Sequence, residues 1–551
     1  MPLREMKKTS PKKEASSKKS QIHKMNLTLA IVLLVNTILV ANIIKVPNPG
    51  IDQDIQPGIQ AAVNKAVKGD IIELPAGQFI ANKCVVVTKF ISIRGQGLSK
   101  TVLYRAESVP DATLTKNSDW RGIIRYEINS NSPSGIVVSG ITFKSKKPSM
   151  LNGDGLSLAG DIGLEMVKCV DFVITGCRFE NFGDGAVSII HDDSIVGGLI
   201  FKNEFIHNVK GYDGLGLGYG VVVYGTNKKW ISNPRFGSSN FIFIEDNLFD
   251  YHRHSVAGGG NALYVFRYNN VKENTAGNTN HAIDAHEARL QSGGNYYSSR
   301  AIEVYNNRIV NTTFKDGTSN CPNGTPITSG KSVSWLTEAA ICTRGGEAII
   351  HDNYIEGYRF GVGLVANNVL TDPYPIPYQQ GYLSALKYGT NHTGVDKEKG
   401  SGDVFLWNDT YKVYSTKSNQ NVYFWNYSKE YLKAERDYHL SAKPDYTPYK
   451  YPHPLSTVVT SNDEIIGSLV SSEQFTVYPN PANGTINIHS DKQIETGTTI
   501  EMMNISGAVI KKEMLVSELT SLDLHGLSQG IYFIKISSET FSYVNKISIV
   551  N

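Results

Sequence analysis

A short phrase of apolar and polar positions recurs through the middle of the chain. It reads apolar, any residue, one or two turn residues, Asn, any residue, then a large apolar residue. Clear copies are Ile200-Phe201-Lys202-Asn203-Glu204-Phe205, Ile244-Glu245-Asp246-Asn247-Leu248-Phe249, Phe266-Arg267-Tyr268-Asn269-Asn270-Val271, Val304-Tyr305-Asn306-Asn307-Arg308-Ile309 and Ile350-His351-Asp352-Asn353-Tyr354-Ile355. Weaker copies start at Val138 and Ile174. Asn247 and Asn269 are 22 residues apart, and Asn203 and Asn247 are 44 apart. Gaps of 38 and 46 residues elsewhere mark inserted loops or an unmarked repeat. Short strands at this period predict stacked coils, a parallel β-helix. One coil is too small to bury its own apolar face, but a stack makes a continuous core. Asn suits the turn because it tolerates left-handed backbone and because its amide can bond to the Asn one coil away.

The ends differ from the middle. Ile55 to Val67 has helical periodicity and leads into short strand-like runs at Gly69–Phe79, Ile91–Gly97 and Thr101–Leu103. Residues 458–472 are small and polar, a linker pattern. Beyond them, runs around Phe475–Tyr478, Thr485–Ile488, Ile500–Met503 and Gly530–Ile536, and the closing Lys546–Asn551, predict an antiparallel sandwich of about seven short strands. The expected division is a leader over 1–46, a β-helix over 47–457, a linker over 458–472 and a small domain over 473–551.

Composition narrows this further. The chain has 551 residues, 40% hydrophobic and 19% charged, with 50 Gly and 29 Tyr. That suits many short strands and tight turns. The formal charge of +3 is uneven, because residues 1–24 hold eight basic and two acidic residues. The remaining 46 basic and 49 acidic residues leave a net −3. A basic nucleic-acid-binding face is therefore not expected. Met25 to Ala41 follows the basic stretch with an apolar run broken by Asn36, the pattern of a signal peptide cleaved near Ala41. The alternative is an uncleaved anchor. No other segment is long and apolar enough to span a bilayer. The five cysteines, Cys84, Cys169, Cys177, Cys321 and Cys342, contain no CxxC. Cys169 with Cys177, or Cys321 with Cys342, could pair after export, and buried thiols are the other reading.

Two resemblances add to these readings. The helix-then-strands opening resembles that of pectin-lyase-like right-handed parallel β-helix proteins, over roughly residues 47–455. It implies an all-β, right-handed parallel β-helix with an N-terminal capping helix, followed by a small C-terminal β-sandwich. That superfamily spans lyases, hydrolases, esterases, epimerases and adhesins, so fold alone does not choose a reaction. The tail, with Tyr478-Pro479-Asn480-Pro481-Ala482, Gly530-Ile531-Tyr532 and Lys546-Ile547-Ser548-Ile549-Val550, resembles the type IX (Por) secretion C-terminal sorting domain. The resemblance implies contact with that secretion machinery, export, removal of the domain, and a secreted or outer-membrane cell-surface location with no stable membrane span after processing. A monomer is expected.

The candidate chemistry comes from the register. Aligning coils on an inward residue lays Arg253–Gly259 over Asn280–His286 over Glu338–Arg344, with Val256, Ile283 and Ile341 inward. His254 and His281 then share one column, and Gly259, His286 and Arg344 another, with Asp284 projecting between them. Stacked strands lie about 4.8 Å apart, so these residues are expected on one exterior patch. Catalytic candidates are His254, His281, His286 and Arg344. Substrate-binding candidates are Arg253, Arg267, Asp284, Arg289, Glu303 and Tyr224, with Glu287 nearby. Gly258, Gly259 and Gly260 are expected to leave room for a bound chain.

Several His and Arg with few carboxylates suit β-elimination of a uronate. That reaction needs the sugar carboxylate neutralised, a base for the C5 proton and an acid for the leaving oxygen. An acidic polysaccharide is the expected partner. No metal is assigned, and Ca²⁺ is the cofactor to consider. The alternatives are a hydrolase, using Asp284 with Glu287 or Glu303 as its two carboxylates, a metal site on His254, His281, Asp284 and His286, and a non-catalytic glycan-binding β-helix. The Asn-Thr-Asp, Asp-Asp and Gly-His-Gly signatures of polygalacturonase-like hydrolases are not found together in the chain, and the Arg-x-Pro-x-x-Arg motif of pectate lyases is absent. Arg344-Gly345-Gly346-Glu347 with Asn353-Tyr354-Ile355-Glu356-Gly357 resembles the alginate lyase/chondroitinase B group, without the Lys-Ser segment that should precede it.

Overall fold

The computed structural model describes residues 41–106, 121–145, 160–192, 195–208, 218–226, 231, 233–272, 281–286, 289–291, 294–296, 298–311, 339–358, 360–365, 404–413, 422–425, 434–460, 475–490, 494, 497–504, 508–515, 517–538 and 542–550. The leader and its apolar run lie outside these residues. No described helix is long and apolar enough to cross a membrane.

The repeat builds three long parallel sheets. The first has 12 strands and runs from Ile43–Lys45 to Tyr438–His439. The second and third have 10 each, running from Val85–Val87 to Val422–Trp425 and from Gly77–Ala81 to Thr410–Lys412. One coil takes Phe172–Thr175 in the first sheet, Arg178–Glu180 in the third and Gly185–Ile190 in the second. The next coil takes Gly198–Phe201, Glu204–Ile206 and Tyr219–Tyr224, each pairing in parallel with its predecessor. This is the parallel β-helix. Its interior is a column of fully buried apolar side chains, such as the stacked rings of Phe143, Phe179, Phe205 and Phe249, whose centroids are 4.6 to 5.2 Å apart.

The recurring Asn forms a ladder. The side-chain amide of Asn203 donates to Oδ1 of Asn247 at 3.0 Å, Asn247 to Asn269 at 3.1 Å, Asn269 to Asn307 at 3.2 Å and Asn307 to Asn353 at 3.0 Å. Asp409 ends it, accepting from Asn353 at 2.9 Å. From Asn247 onward each Asn oxygen also takes the backbone N–H of the Asn before it, and that of Asn203 takes the N–H of Cys177. One half of the expectation therefore changes. The left-handed residue is the one before the ladder Asn, namely Lys202, Asp246, Tyr268, Asn306 and Asp352, with φ of 53 to 57°. The Asn suits this place because its amide offers two N–H donors and an acceptor oxygen at once, which bond both the local backbone and the next coil.

At the N-terminal end, helix Gln56–Lys65 turns Ile59, Ala62 and Val63 into the core and covers the first coil. The solenoid starts earlier than residue 47. Ile43–Lys45 already pairs in parallel with Ile71–Glu73, because that strand would otherwise leave its edge unpaired. Helix Leu455–Thr460 likewise crosses the expected 457/458 boundary. Cys169 and Cys177 are buried free thiols rather than a pair, and Cys321 lies outside the described residues.

The segment from Tyr446 to Leu455 returns along the outside of the first sheet as a strap. Arg267 donates to the carbonyls of Tyr449 (2.6 Å) and Lys450 (3.0 Å), and the N–H of His453 donates to Glu245 (3.0 Å).

The tail forms seven strands from Phe475–Asn483 to Ser542–Ile549, antiparallel except where Ala482 meets Ile549. Phe475–Asn483 belongs to both ladders, so the strands close around Ile486, Ile488, Ile500, Met502, Ile534, Ile536 and Ile547.

Candidate active site

The second sheet carries the register that the spacing predicts. Val256 pairs with Ile283, which pairs with Ile341, and Ala257 pairs with Asp284, which pairs with Cys342. Asp284, His286 and Arg344 have the outward parity, opposite to the inward Val256, Ile283 and Ile341.

Asp284 is the centre of the cluster. Arg344 grips its carboxylate with two parallel bonds, Nε to Oδ1 at 2.9 Å and Nη2 to Oδ2 at 2.5 Å. Nε2 of His254 is 3.3 Å and Nε2 of His286 is 3.5 Å from Oδ2. Burial works to raise the carboxyl, but Arg344, then His286, His254 and His281, hold it well below the usual range. Asp284 is therefore a carboxylate.

His254 and His281 are buried rather than exterior. Each is two residues before an inward position, so alternation gives it the inward parity and not the exterior one expected for it. Their rings stack in parallel with centroids 6.0 Å apart, and Tyr219 continues the stack 5.4 Å beyond His254. Their tautomers follow from their partners. Nδ1 of His254 donates to the carbonyl of His281 at 2.6 Å, and Nδ1 of His281 to that of Ala339 at 2.9 Å. A carbonyl only accepts, so each Nδ1 holds the proton. Burial, more than any other influence, depresses both imidazoles, His254 well below its ordinary value. Neutral His254 thus turns a bare Nε2, with no hydrogen-bond partner, toward Asp284.

His286 and Arg344 form the partly open rim, with side chains 16% and 12% exposed. Nη2 of Arg344 also donates to Nδ1 of His286 at 2.9 Å. That bond puts the His286 proton on Nε2. Arg253, also partly exposed, donates to the Tyr219 hydroxyl at 2.8 Å with its guanidinium over the ring. Tyr224 is half-buried two residues along the strand from the column of Ala257 and Asp284, paired with Gly259.

The structure does not bring the other candidates here. Arg267 and Glu303 lie on the first sheet, in strands Leu263–Arg267 and Ala301–Tyr305, beneath the strap. Arg267 is fully buried and bound to Glu245 and the Tyr305 hydroxyl. Glu303 accepts from the Tyr446 hydroxyl and the N–H of Gly237. A coil crosses three sheets, so closeness in sequence does not put residues on one face. Arg289 lies in the hairpin Arg289–Gln291 with Gly294–Tyr296, and its side chain and Glu287 fall outside the described residues. Gly258 makes no room for a bound chain. A Cβ there would come within 2.7 Å of the Tyr264 ring inside the wall.

Tyr219 was not among the candidates. It pairs in register with His254, so extending the aligned column one coil back finds it. Glu165 is a second omission. It stands in the Asp284 column four strands earlier, salt-bridged to Arg121 and Arg125.

The cluster also has a donor set. His254, Asp284 and His286 offer ligand atoms within 4.8 Å of one another. Two imidazoles and one oxygen do not suit Ca²⁺, which takes oxygen ligands.

Residues 476–550 match the secretion system C-terminal sorting domain. The chain therefore ends in a sorting domain of the kind that directs type IX secretion. No curated protein matches the chain. Among solved structures it is similar to an alginate lyase from Paenibacillus sp. str. FPU-7, at 11% identity over 70% of this chain and 98% of that one, with a TM-score of 0.36. It is also similar to the A-module of mannuronan C-5 epimerase AlgE4 from Azotobacter vinelandii, at 11% identity over 71% and 97%, TM-score 0.31. The catalytic unit of a GH87 α-1,3-glucanase from Streptomyces thermodiastaticus strain HF3-3 is similar at 11% identity over 71% of each chain, TM-score 0.36. These three are named as a lyase, an epimerase and a glucanase, and the likeness selects no reaction for this chain.

Proposed function

We propose that the chain is an exported polysaccharide lyase that cleaves a uronate-containing chain by β-elimination at the Asp284 cluster. The observation that carries this reading is the bare, buried Nε2 of His254 beside a cation-bound carboxylate. In the proposed reaction, Arg344 and Arg253 meet the uronate carboxylate, which makes the C5 proton acidic. Nε2 of His254 takes that proton. The C4–O bond breaks, its electrons leave on oxygen, and the proton held on Nε2 of His254 passes to that oxygen while Nε2–H of His286 hydrogen-bonds to it. A C4–C5 double bond remains. Asp284 positions Arg344 and both histidines and stabilises the imidazolium formed on His254. Tyr219 and His281 pack on the two faces of His254 and hold its ring in place.

Hydrolysis fits less well. It needs two carboxylates about 5 to 9.5 Å apart. Among the described residues, the next carboxylate in the Asp284 column is Glu165, four strands away, about 19 Å at the usual strand spacing, and Glu287 lies outside them. Glu303 is on another sheet. We further propose that the processed protein is released or held at the cell surface.

The test is incubation of the full chain with alginate, pectate, chondroitin and hyaluronan. Ultraviolet absorbance from unsaturated ends, lost in His254→Ala and His286→Ala, is the expected result. New reducing ends without absorbance would make the protein a hydrolase. Glycan retention with neither signal would make it a binding module.

A further inference from the structure

We infer that His254, Asp284 and His286 form a binding site for a transition-metal dication of the zinc type. The inference does not rest on the proposed reaction, because binding is read without substrate. Three features carry it.

The first is geometry. A tetrahedral ion with bonds of about 2.0–2.1 Å separates its ligand atoms by about 3.3–3.4 Å. Oδ2 of Asp284 stands 3.3 Å from Nε2 of His254 and 3.5 Å from Nε2 of His286. All three atoms lie within 4.8 Å of one another, so two edges of a tetrahedral site are already set.

The second is the state of His254. Its Nδ1–H is committed to the His281 carbonyl at 2.6 Å, the outer bond that metal-ligating imidazoles commonly make. Its Nε2 is fully buried, has no hydrogen-bond partner and faces a carboxylate oxygen. Two acceptors at that distance repel unless something positive lies between them, and a metal ion supplies it.

The third is the donor set. Two imidazoles and one carboxylate suit zinc-type ions, and three protein ligands leave a fourth position at the partly exposed His286 rim for water or another ligand.

Arg344 opposes the ion. Its guanidinium shares Oδ2 of Asp284 and donates to Nδ1 of His286, which keeps the proton on the nitrogen that must bind metal. Binding therefore displaces a proton from His286 and loosens Arg344. An ion seated there takes the lone pair of His254 and the proton of His286, so zinc is also an inhibitor of the elimination proposed above.

The experiment is a Co²⁺ titration of the full chain, followed by visible absorption, with Zn²⁺ as competitor. A tetrahedral site gives intense visible bands that Zn²⁺ removes. His286→Ala, at the rim, should weaken binding by more than the about 10–100-fold that loss of an outer-shell partner costs. His254→Ala should do the same if it folds, and His286→Ala keeps the test intact if it does not. Arg344→Gln should tighten binding, because it removes the competing charge. That last arm separates the site from adventitious binding by surface histidines, which Arg344 would not affect. Absence of the bands, or bands unchanged in His286→Ala, would overturn the inference.

Discussion

Two arginine–carboxylate centres sit on different walls of the same solenoid. On the first sheet, Arg267 holds Glu245 with Nε at 2.7 Å, and its remaining donors go to Tyr305 and the strap carbonyls. On the second sheet, Arg344 holds Asp284 with equal closeness. The difference is what covers them. The chain itself covers the first, with the Tyr449 and Lys450 carbonyls accepting from Arg267, the Tyr451 ring against its guanidinium and the His453 N–H donating to Glu245. Histidines surround the second, and one of them has a lone pair without a partner. A buried ion pair with all its bonds satisfied holds structure together. One facing an unsatisfied base has chemistry left to do.

This contrast can be broken by four measurements. The largest effect is expected on turnover. His254→Ala or His286→Ala should lower kcat by about 10²–10⁴-fold, the usual weight of a positioned acid or base. Arg267→Ala should leave kcat of the folded protein unchanged. The reverse pattern, read by ultraviolet absorbance, would end the comparison.

Stability should respond the other way. Arg267→Ala strands the buried Glu245 carboxylate and should cost about 3–5 kcal/mol in denaturant unfolding. A smaller loss, about 1–3 kcal/mol, is expected from Tyr446→Phe, which removes the donor to the buried Glu303. Neither change should alter the Asp284 cluster.

The smallest effect is a pH dependence of the strap. Asp246 accepts from the Tyr451 hydroxyl, and burial, opposed by that bond and by Lys202 and Arg267 and aided by Glu245, pushes its carboxyl up to about 6. A raised carboxyl favours the protonated fold. Its stabilisation is complete below the ordinary value of about 3.9 and is lost as pH rises through about 6. Asp246→Asn cannot ionise, and Asn tolerates the left-handed backbone there. The variant should gain in Tm over the parent between pH 4 and pH 8. An equal difference at both ends would show that Asp246 does not titrate in that window.

Much of the fold was legible from residue order. The Asn phrase named the ladder from Asn203 to Asn353, and the apolar positions aligned Val256, Ile283 and Ile341 as the sheet pairs them. The site was legible in part. Asp284, His286 and Arg344 meet because register carries them together. Arg267 and Glu303 do not, because each coil turns two corners and distributes near neighbours over three walls. Tyr219 was hidden because it stands one coil before the aligned segments, in register with His254.

The amino-acid sequence by itself determined the stack, its register and its sorting tail, because repeats and strand alternation are local rules that each coil obeys. Only the tertiary structure decided which arginine is sealed and which faces a base. That depends on where a strap 182 residues further along the chain comes to lie, and no local pattern carries a contact of that range.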